Sequence, residues 1–258
     1  MESKRILLTV SYDGTAYCGW QYQDNGISIQ QKVEEALEKA LGGFTRVTGA
    51  SRTDAGVHAL GQRAHFDADT GIPAEKLPFA LNTMLPPDVR VTAGLLVPDT
   101  LHARFSVEEK TYTYRIHNAP HASALYRNLT AHVPVTLDDR MMHGAAQALA
   151  GTHDFAAYCA AGGSAKTTVR TIRQIAVSRE GGRVTLTVTG NAFLYNMVRI
   201  IAGTLIDVGH GKLPPECLQT ALTTLNRLDL GVTAPANGLE LTEVKYPEEK
   251  LKMPGQGE

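Results

Sequence analysis

The sequence predicts an α+β protein of two similar halves. Three observations carry that prediction. Apolar and polar residues alternate over short runs such as 5–12 and 110–117. Apolar residues recur at helical spacing over longer runs such as 29–41. The two kinds of run follow one another as strand, helix, strands, then helix, hairpin, helix, helix, strand, without βαβ regularity. At 258 residues with 43% hydrophobic content, the chain suffices for one large or two modest domains, each with a real core.

Taken in order, residues 5–12 form a strand that Tyr12-Asp13-Gly14 ends with turn chemistry. Ser28, with Gln31 three residues on, makes a capping box, and Ile29, Val33, Ala36, Leu37, Ala40 and Leu41 repeat at helical spacing until Gly42-Gly43 closes the helix. The run Gly49 to Asp67, GASRTDAGVHALGQRAHFD, then sets Asp54 in a turn between two strands. A short helix over 74–83 stops before Pro86-Pro87, and 89–97 reads as a further strand. Over 110–117, Tyr112, Tyr114 and Ile116 share one face and the other face is polar. A loop with Pro120 and Pro134 leads to a helix over 138–150. A hairpin follows, 169–179 with 184–189 across Gly181-Gly182. Residues 195–208 are apolar nearly all round, 215–226 form another helix, and 239–246 close as a strand. The tail from Pro247, carrying Glu248, Glu249 and Lys250, has the composition of a disordered segment.

Net charge is −1, so no global basic field recommends nucleic acid as a partner. Local patterning differs. From Ala160 up to Asp207, Lys166, Arg170, Arg173, Arg179, Arg183 and Arg199 stand against Glu180 alone, a local +5, while acidic residues such as Glu34, Glu35 and Glu38 gather elsewhere. That asymmetry allows a basic face for phosphates; a solvated strand rim rich in arginine has the same composition. Three widely spaced cysteines, Cys18, Cys159 and Cys217, with no C-x-x-C pair, argue against a disulfide framework or a thiolate metal site and fit a reducing cytosol. The apolar run 6–10 is too short for a signal peptide core or a membrane span.

The candidate chemistry centres on Asp54, with Arg52 two residues before it, Gly56 two after and His58 four after. A solvated polar turn has the same local pattern, so a longer-range partner is needed. Arg199 is one candidate. It shares a helix face with Ala202, Gly203 and Ile206 on a helix with almost no polar side, so its guanidinium points into protein and calls for a carboxylate. Asp207 lies two turns away, roughly 12 Å at ~1.5 Å per residue, too far to serve. Asp54 is a candidate partner, the alternative being that Arg199 emerges at the helix end and caps nothing. A carboxylate paired with Arg stays ionised at neutral pH and is fit to act as nucleophile or base. Tyr112, inward on its strand, is either a core residue or a platform for a flat substrate. His58 and His65 beside Asp54 and Asp67 raise a metal hypothesis, but no pair has H-E-x-x-H spacing. No G-x-G-x-x-G, P-loop or G-x-S-x-G occurs, so no nucleotide cofactor or serine hydrolase is implied.

Several segments together closely resemble the tRNA pseudouridine synthase A family. Tyr12-Asp13-Gly14-Thr15 with Gly19-Trp20-Gln21 is similar to its opening motif, and Arg52-Thr53-Asp54-Ala55-Gly56-Val57-His58-Ala59 to its catalytic motif. Lys110-Thr111-Tyr112-Thr113-Tyr114, Thr168-Val169-Arg170-Thr171-Ile172, Asn191-Ala192-Phe193 with Asn196-Met197-Val198-Arg199, and Gly238-Leu239 through Val244 to Tyr246 complete an ordered set. Ser28 stands where the family often has Thr, and Glu240 where it is commonly apolar or aromatic.

The resemblance implies isomerisation of uridine to pseudouridine at positions 38, 39 and 40 of the tRNA anticodon arm, by a cytoplasmic homodimer without metal or organic cofactor. It implies two RRM-like (ferredoxin-like) halves, residues 1–105 and 106–247 with a flexible tail over 248–258. These would form one extended, mostly antiparallel sheet with helices on one face and the active site in the cleft between halves. Asp54, Arg199 and Tyr112 are the implied catalytic residues; Tyr112, Arg52, His58, Lys166 and Arg170 are the implied substrate-binding ones. The rival readings are a non-catalytic RNA-binding module, which needs no Asp paired with Arg, and a metal-dependent hydrolase built around His58, which a chelator would inactivate. A paralogue with a shifted uridine target would keep the same catalytic motifs.

Overall fold

A computed structural model describes residues 3–163 and 165–253. The chain divides into two compact units, one of residues up to Glu108 together with those from Leu241 onward, the other of Glu109–Glu240.

The first unit opens with strand β1 (Lys4–Tyr12), helix α1 (Ile29–Leu41), and strands β2 (Thr48–Gly49) and β3 (His58–Ala68). A 3₁₀ turn (Ala74–Lys76) then leads into helix α2 (Leu77–Asn82) and strand β4 (Val89–Val97). The strands run in the order β4-β1-β3, antiparallel, with β2 antiparallel on β3 and the chain's closing strand next in order. The alternation read in residues 5–12 is realised: Ile6, Leu8, Val10 and Tyr12 are buried and share one face. Ser28 caps α1 as its spacing predicts, its Oγ accepting from the Gln31 amide at 3.2 Å. The reciprocal half of the capping box is not made, because the Gln31 carboxamide donates to Glu35 instead, at 2.8 Å. Gly42 closes the helix in the left-handed region at φ 78°.

Glu34, one of the clustered acidic residues of α1, turns inward. It is 4% exposed, beside the buried Gln30. Its Oε1 accepts from Gln30 Nε2 at 2.8 Å and from the Val47 amide at 3.0 Å, and Arg46 lies 3.3 Å from its other oxygen. A buried carboxylate is tolerated when its lone pairs are filled in this way.

The second unit begins with strands β5 (Glu109–Asn118) and β6 (Ala131–Val133), helix α3 (Asp139–Ala146) and strand β7 (Gly151–Asp154). It continues through β8 (Val169–Glu180), β9 (Arg183–Gly190), α4 (Met197–Gly209) and α5 (Cys217–Thr224). Its strands run β5-β9-β8-β7, antiparallel, with β6 parallel to β5. The hairpin read across Gly181-Gly182 is present, closing at Glu180 opposite Arg183. Tyr112, Tyr114 and Ile116 face Val188, Leu186 and Val184 across the β5–β9 ladder, and all six are buried.

Helix α4 is apolar all round because it is covered on more than one side. α3 packs against it, with the Asp138 amide donating to the Gly209 carbonyl at 3.0 Å. Across another face runs the 231–234 segment: the Ala234 amide donates to the Arg199 carbonyl at 3.0 Å, and the Gly231 amide to Thr204 Oγ1 at 3.1 Å. Gly203 permits that crossing, since a Cβ there would lie 1.8 Å from the Val232 carbonyl oxygen.

The closing strand β10 (Leu239–Lys245) is followed by a short helix α6 (Glu248–Leu251) within the segment expected to be a flexible tail. The same expectation for 254–258 lies outside the described residues. No helix among the described residues is long and apolar enough to cross a membrane.

Candidate active site

In the first unit, Asp54 lies half-buried in a loop between β2 and β3. The loop begins where the β2–β3 ladder ends. The Ala50 amide donates to the Arg63 carbonyl at 2.7 Å, a rung beyond β2. At Ser51 a side chain takes over: the wholly buried Gln62 accepts from the Ser51 amide through Oε1 at 3.2 Å and donates to the Ser51 carbonyl through Nε2 at 2.7 Å. Beyond Asp54 the chain turns tightly, with the Val57 amide donating to the Asp54 carbonyl at 3.1 Å and Gly56 at φ 77°.

The segment after β1 encloses this loop. The Tyr12 hydroxyl lies 2.8 Å from Thr53 Oγ1, the Trp20 amide donates to the Thr53 carbonyl at 3.1 Å, and the Gly56 amide donates to the Tyr17 carbonyl at 3.3 Å. Gly19, at φ 108°, touches the loop so closely that a Cβ would fall 2.4 Å from the Thr53 carbonyl oxygen. The Tyr12-Asp13-Gly14 and Gly19-Trp20 motifs thus belong physically with Arg52-Thr53-Asp54.

His58 lies behind the loop at 5% exposure. Its Nδ1 accepts from the Gly14 amide at 3.0 Å and lies 3.2 Å from Asp13 Oδ1; its Nε2 is buried without a hydrogen-bond partner among the described residues. From that position His58 supports the loop. Burial alone would raise Asp13, but hydrogen bonds from the Thr15 hydroxyl and amide, with His58 alongside, bring its carboxyl below the usual value. Arg52 is exposed.

His65, the other histidine of the metal hypothesis, accepts from the Ala103 amide through Nδ1 at 3.1 Å and sets its ring against His102 at 5.0 Å. Among the described residues no group of three or more His, Cys, Asp or Glu is arranged to hold a metal ion.

In the second unit, Tyr112 is 6% exposed on β5, and Phe193 meets it edge to face at 5.1 Å. Tyr114, wholly buried, donates its hydroxyl to the Pro235 carbonyl at 2.9 Å, and burial pushes its ionisation well above the usual tyrosine range. Arg199 is half-buried near the start of α4, where its Nε donates to the Ala234 carbonyl at 2.8 Å and its Nη1 to Asn196 Oδ1 at 2.8 Å. The guanidinium is therefore oriented by two neutral oxygens of its own unit. Asn196, the N-cap, holds the left-handed conformation at φ 58°.

The basic stretch divides in two. Arg173 pairs with Glu109 at 2.6 Å, and Arg179 reaches Asp139 at 2.5 Å, the Leu137 carbonyl at 2.6 Å and Asn118 Oδ1 at 3.1 Å. Both arginines are engaged within the unit, Arg179 the more extensively. Lys166 is exposed. Arg170 is half-buried, donating to the Val169 carbonyl at 2.6 Å, and burial lowers its pKa.

The sequence reading missed Gln62, Tyr12 and Thr53 as parts of the loop's frame. The one available signal was a glutamine on the core side of β3, two residues before the buried Ala64.

A family model described as tRNA pseudouridine synthase matches residues 8–106 and 145–247. The chain is 47% identical, over 94% of its length and all of the relative's, to a tRNA pseudouridine synthase A from Ruminiclostridium cellulolyticum. It is 44% identical to one from Acetivibrio thermocellus and 42% to one from a Thermoanaerobacter species, each over 94% of this chain and the whole of the relative.

Proposed function

The chain belongs to the tRNA pseudouridine synthase family, and from that membership we propose that it isomerises uridine to pseudouridine at positions 38, 39 and 40 of the tRNA anticodon arm. The observation that supports this most is the 47% identity along the whole length of a tRNA pseudouridine synthase A, which takes in the Asp54 motif.

The reaction breaks the N1–C1′ glycosidic bond, turns the freed uracil, joins C5 to C1′ and releases the C5 proton, while N1 ends protonated. Atoms balance without oxidation or phosphate transfer. Asp54 acts on the substrate, either attacking it covalently or deprotonating the sugar, and in both cases must be ionised. Arg199 is its charge partner; a guanidinium already turned by Ala234 and Asn196 suits that part. Tyr112 stacks on the target base and takes up the C5 proton directly or through water. The uridine leaves its stack first, as base chemistry in an RNA helix requires. Arg52 fills the vacated space or clasps phosphate, and Lys166 and Arg170 bind the backbone by shape and charge.

We propose further that each of the two compact units is RRM-like, with the residues from Leu241 onward counted in the first rather than in a continuous 106–247 half. The enzyme works as a homodimer in the cytoplasm without metal or organic cofactor. These statements rest on the family resemblance.

The test is release of tritium from tRNA labelled at uridine C5. Asp54→Asn is expected to abolish release while leaving RNA binding largely intact. Release at the wild-type rate would sink the assignment of Asp54. Pseudouridine mapping in tRNA from cells lacking the protein should show loss at 38, 39 and 40, and loss elsewhere would move the target.

A further inference from the structure

We propose that Gln62 is a positioning residue for the reaction, its carboxamide setting where the Asp54 loop leaves the sheet. The inference rests on Asp54 being the catalytic carboxylate.

β2 and β3 pair as Thr48 opposite His65 and Gly49 opposite Ala64, and the Ala50 amide adds a rung to the Arg63 carbonyl at 2.7 Å. Continued, the antiparallel ladder would set Ser51 opposite Gln62 as a non-hydrogen-bonded pair, because Gln62 is paired on its other side, opposite Val10 of β1. The Gln62 side chain nevertheless holds Ser51, accepting from the Ser51 amide at 3.2 Å and donating to the Ser51 carbonyl at 2.7 Å. β2 has ended by this point, and Arg52, Thr53 and Asp54 follow in the loop.

Only one orientation of the carboxamide works, since a flip would set NH₂ against N–H and oxygen against oxygen. Gln62 is wholly buried, so its own carboxamide depends on these bonds. Thr53 is held from the other side by Tyr12 and the Trp20 amide. Ser51 and Thr53 are therefore both pinned, and Asp54 has little freedom between Thr53 and the turn at Gly56. Near-attack geometry is sensitive at this scale, a 1 Å misplacement costing on the order of 10²-fold in rate.

Two variants test this by tritium release from tRNA labelled at uridine C5. Gln62→Met keeps the volume and removes both bonds; kcat is expected to fall on the order of 10²-fold with KM little changed. Gln62→Glu offers only acceptors when ionised, but when protonated it offers one donor and one acceptor, as the amide does. Its kcat relative to wild type is expected to rise as pH falls, which a merely structural role would not produce. Arg52, Asp54 and Arg63 are the charged groups adjacent in the loop and on β3, and His58 and Asp13 lie on the loop's other side; all are common to both proteins, so the ratio isolates residue 62.

A folded Gln62→Met with wild-type kcat overturns the proposal, as does a Gln62→Glu profile parallel to the wild type's. Should the Met variant not fold, the Glu profile decides alone. Asp54→Asn is assayed alongside. Release retained there removes the catalytic reading of Asp54, whereas release lost there with wild-type behaviour at residue 62 removes only the positioning role.

Discussion

The Tyr12 hydroxyl lies 2.8 Å from Thr53 Oγ1, with both residues buried and Asp54 next in the chain. A strand-end tyrosine and the residue before the candidate catalytic carboxylate are thus joined across 41 positions of sequence.

Tyr12→Phe and Thr53→Val each leave one buried oxygen without this partner, which costs about 1–3 kcal/mol of stability. The double variant should cost less than the sum of the singles, with a coupling of about 0.5–3 kcal/mol. Urea unfolding of the four proteins checks this, and strictly additive losses would show that the contact contributes nothing.

Arg199→Ala removes a donor from the Ala234 carbonyl and from Asn196, so stability should fall by about 1–3 kcal/mol. Activity should fall much further than that loss accounts for, because the proposed partner of Asp54 is gone. Arg199→Lys keeps the charge but not the fork, and should recover stability only in part. Thermal melts and tritium release, run on the same preparations, separate the two effects. Normal turnover in a folded Arg199→Ala would end the proposed pairing.

Acid should weaken the first unit through His65. Burial, with Arg5 and His102 adding to it, lowers the His65 pKa to about 4 from an ordinary 6.5. The unfolded chain therefore takes up the proton more readily than the folded one. Stability from this group is complete above about pH 6.5 and is lost as pH falls towards about 4, by on the order of 2 kcal/mol. The attraction of Asp67 for the protonated ring opposes this without reversing it, and Arg5 holds the Asp67 carboxyl below the usual carboxylate range. His65→Asn, which keeps an acceptor for the Ala103 amide, should flatten the slope of unfolding midpoint against pH between 4 and 6.5. An unchanged slope would place the acid sensitivity in another group.

The cations of the second unit should separate by assay. Arg179→Ala strips donors from Asp139, Leu137 and Asn118, so it should lower stability by about 1–3 kcal/mol and change RNA affinity little once folded protein is compared. Lys166→Ala should leave the melt unchanged and lower the slope of log affinity against log salt by about 1. The reverse pattern would restore Arg179 to the RNA surface.

Much of this was legible in the chain. Alternation in residues 5–12 and the Tyr112-Tyr114-Ile116 face became buried strand faces, because period-two patterning leaves a strand only one way to bury its apolar side. The apolar run of α4 was visible, but the cover that accounts for it, the 231–234 segment crossing at Gly203, was not. Asp54 could be singled out because a polar loop between strands, matched to a family motif, is a local signature.

Local pattern gave the longer elements, their order and the Ser28 cap, since each depends on residues a few positions apart, but not the short strands β6 and β7. It did not reveal the partners of Glu34, His58, Arg173 and Arg179, whose side chains answer to Val47 and Gln30, Gly14, Glu109, and Asp139. A charged residue reads the same in sequence whether it meets water or a buried donor, because composition records the group and not its solvation. The frame around Asp54 is of that kind. Tyr12, Trp20 and Gln62 support the loop only once the β1 and β3 strands have paired and brought them to it.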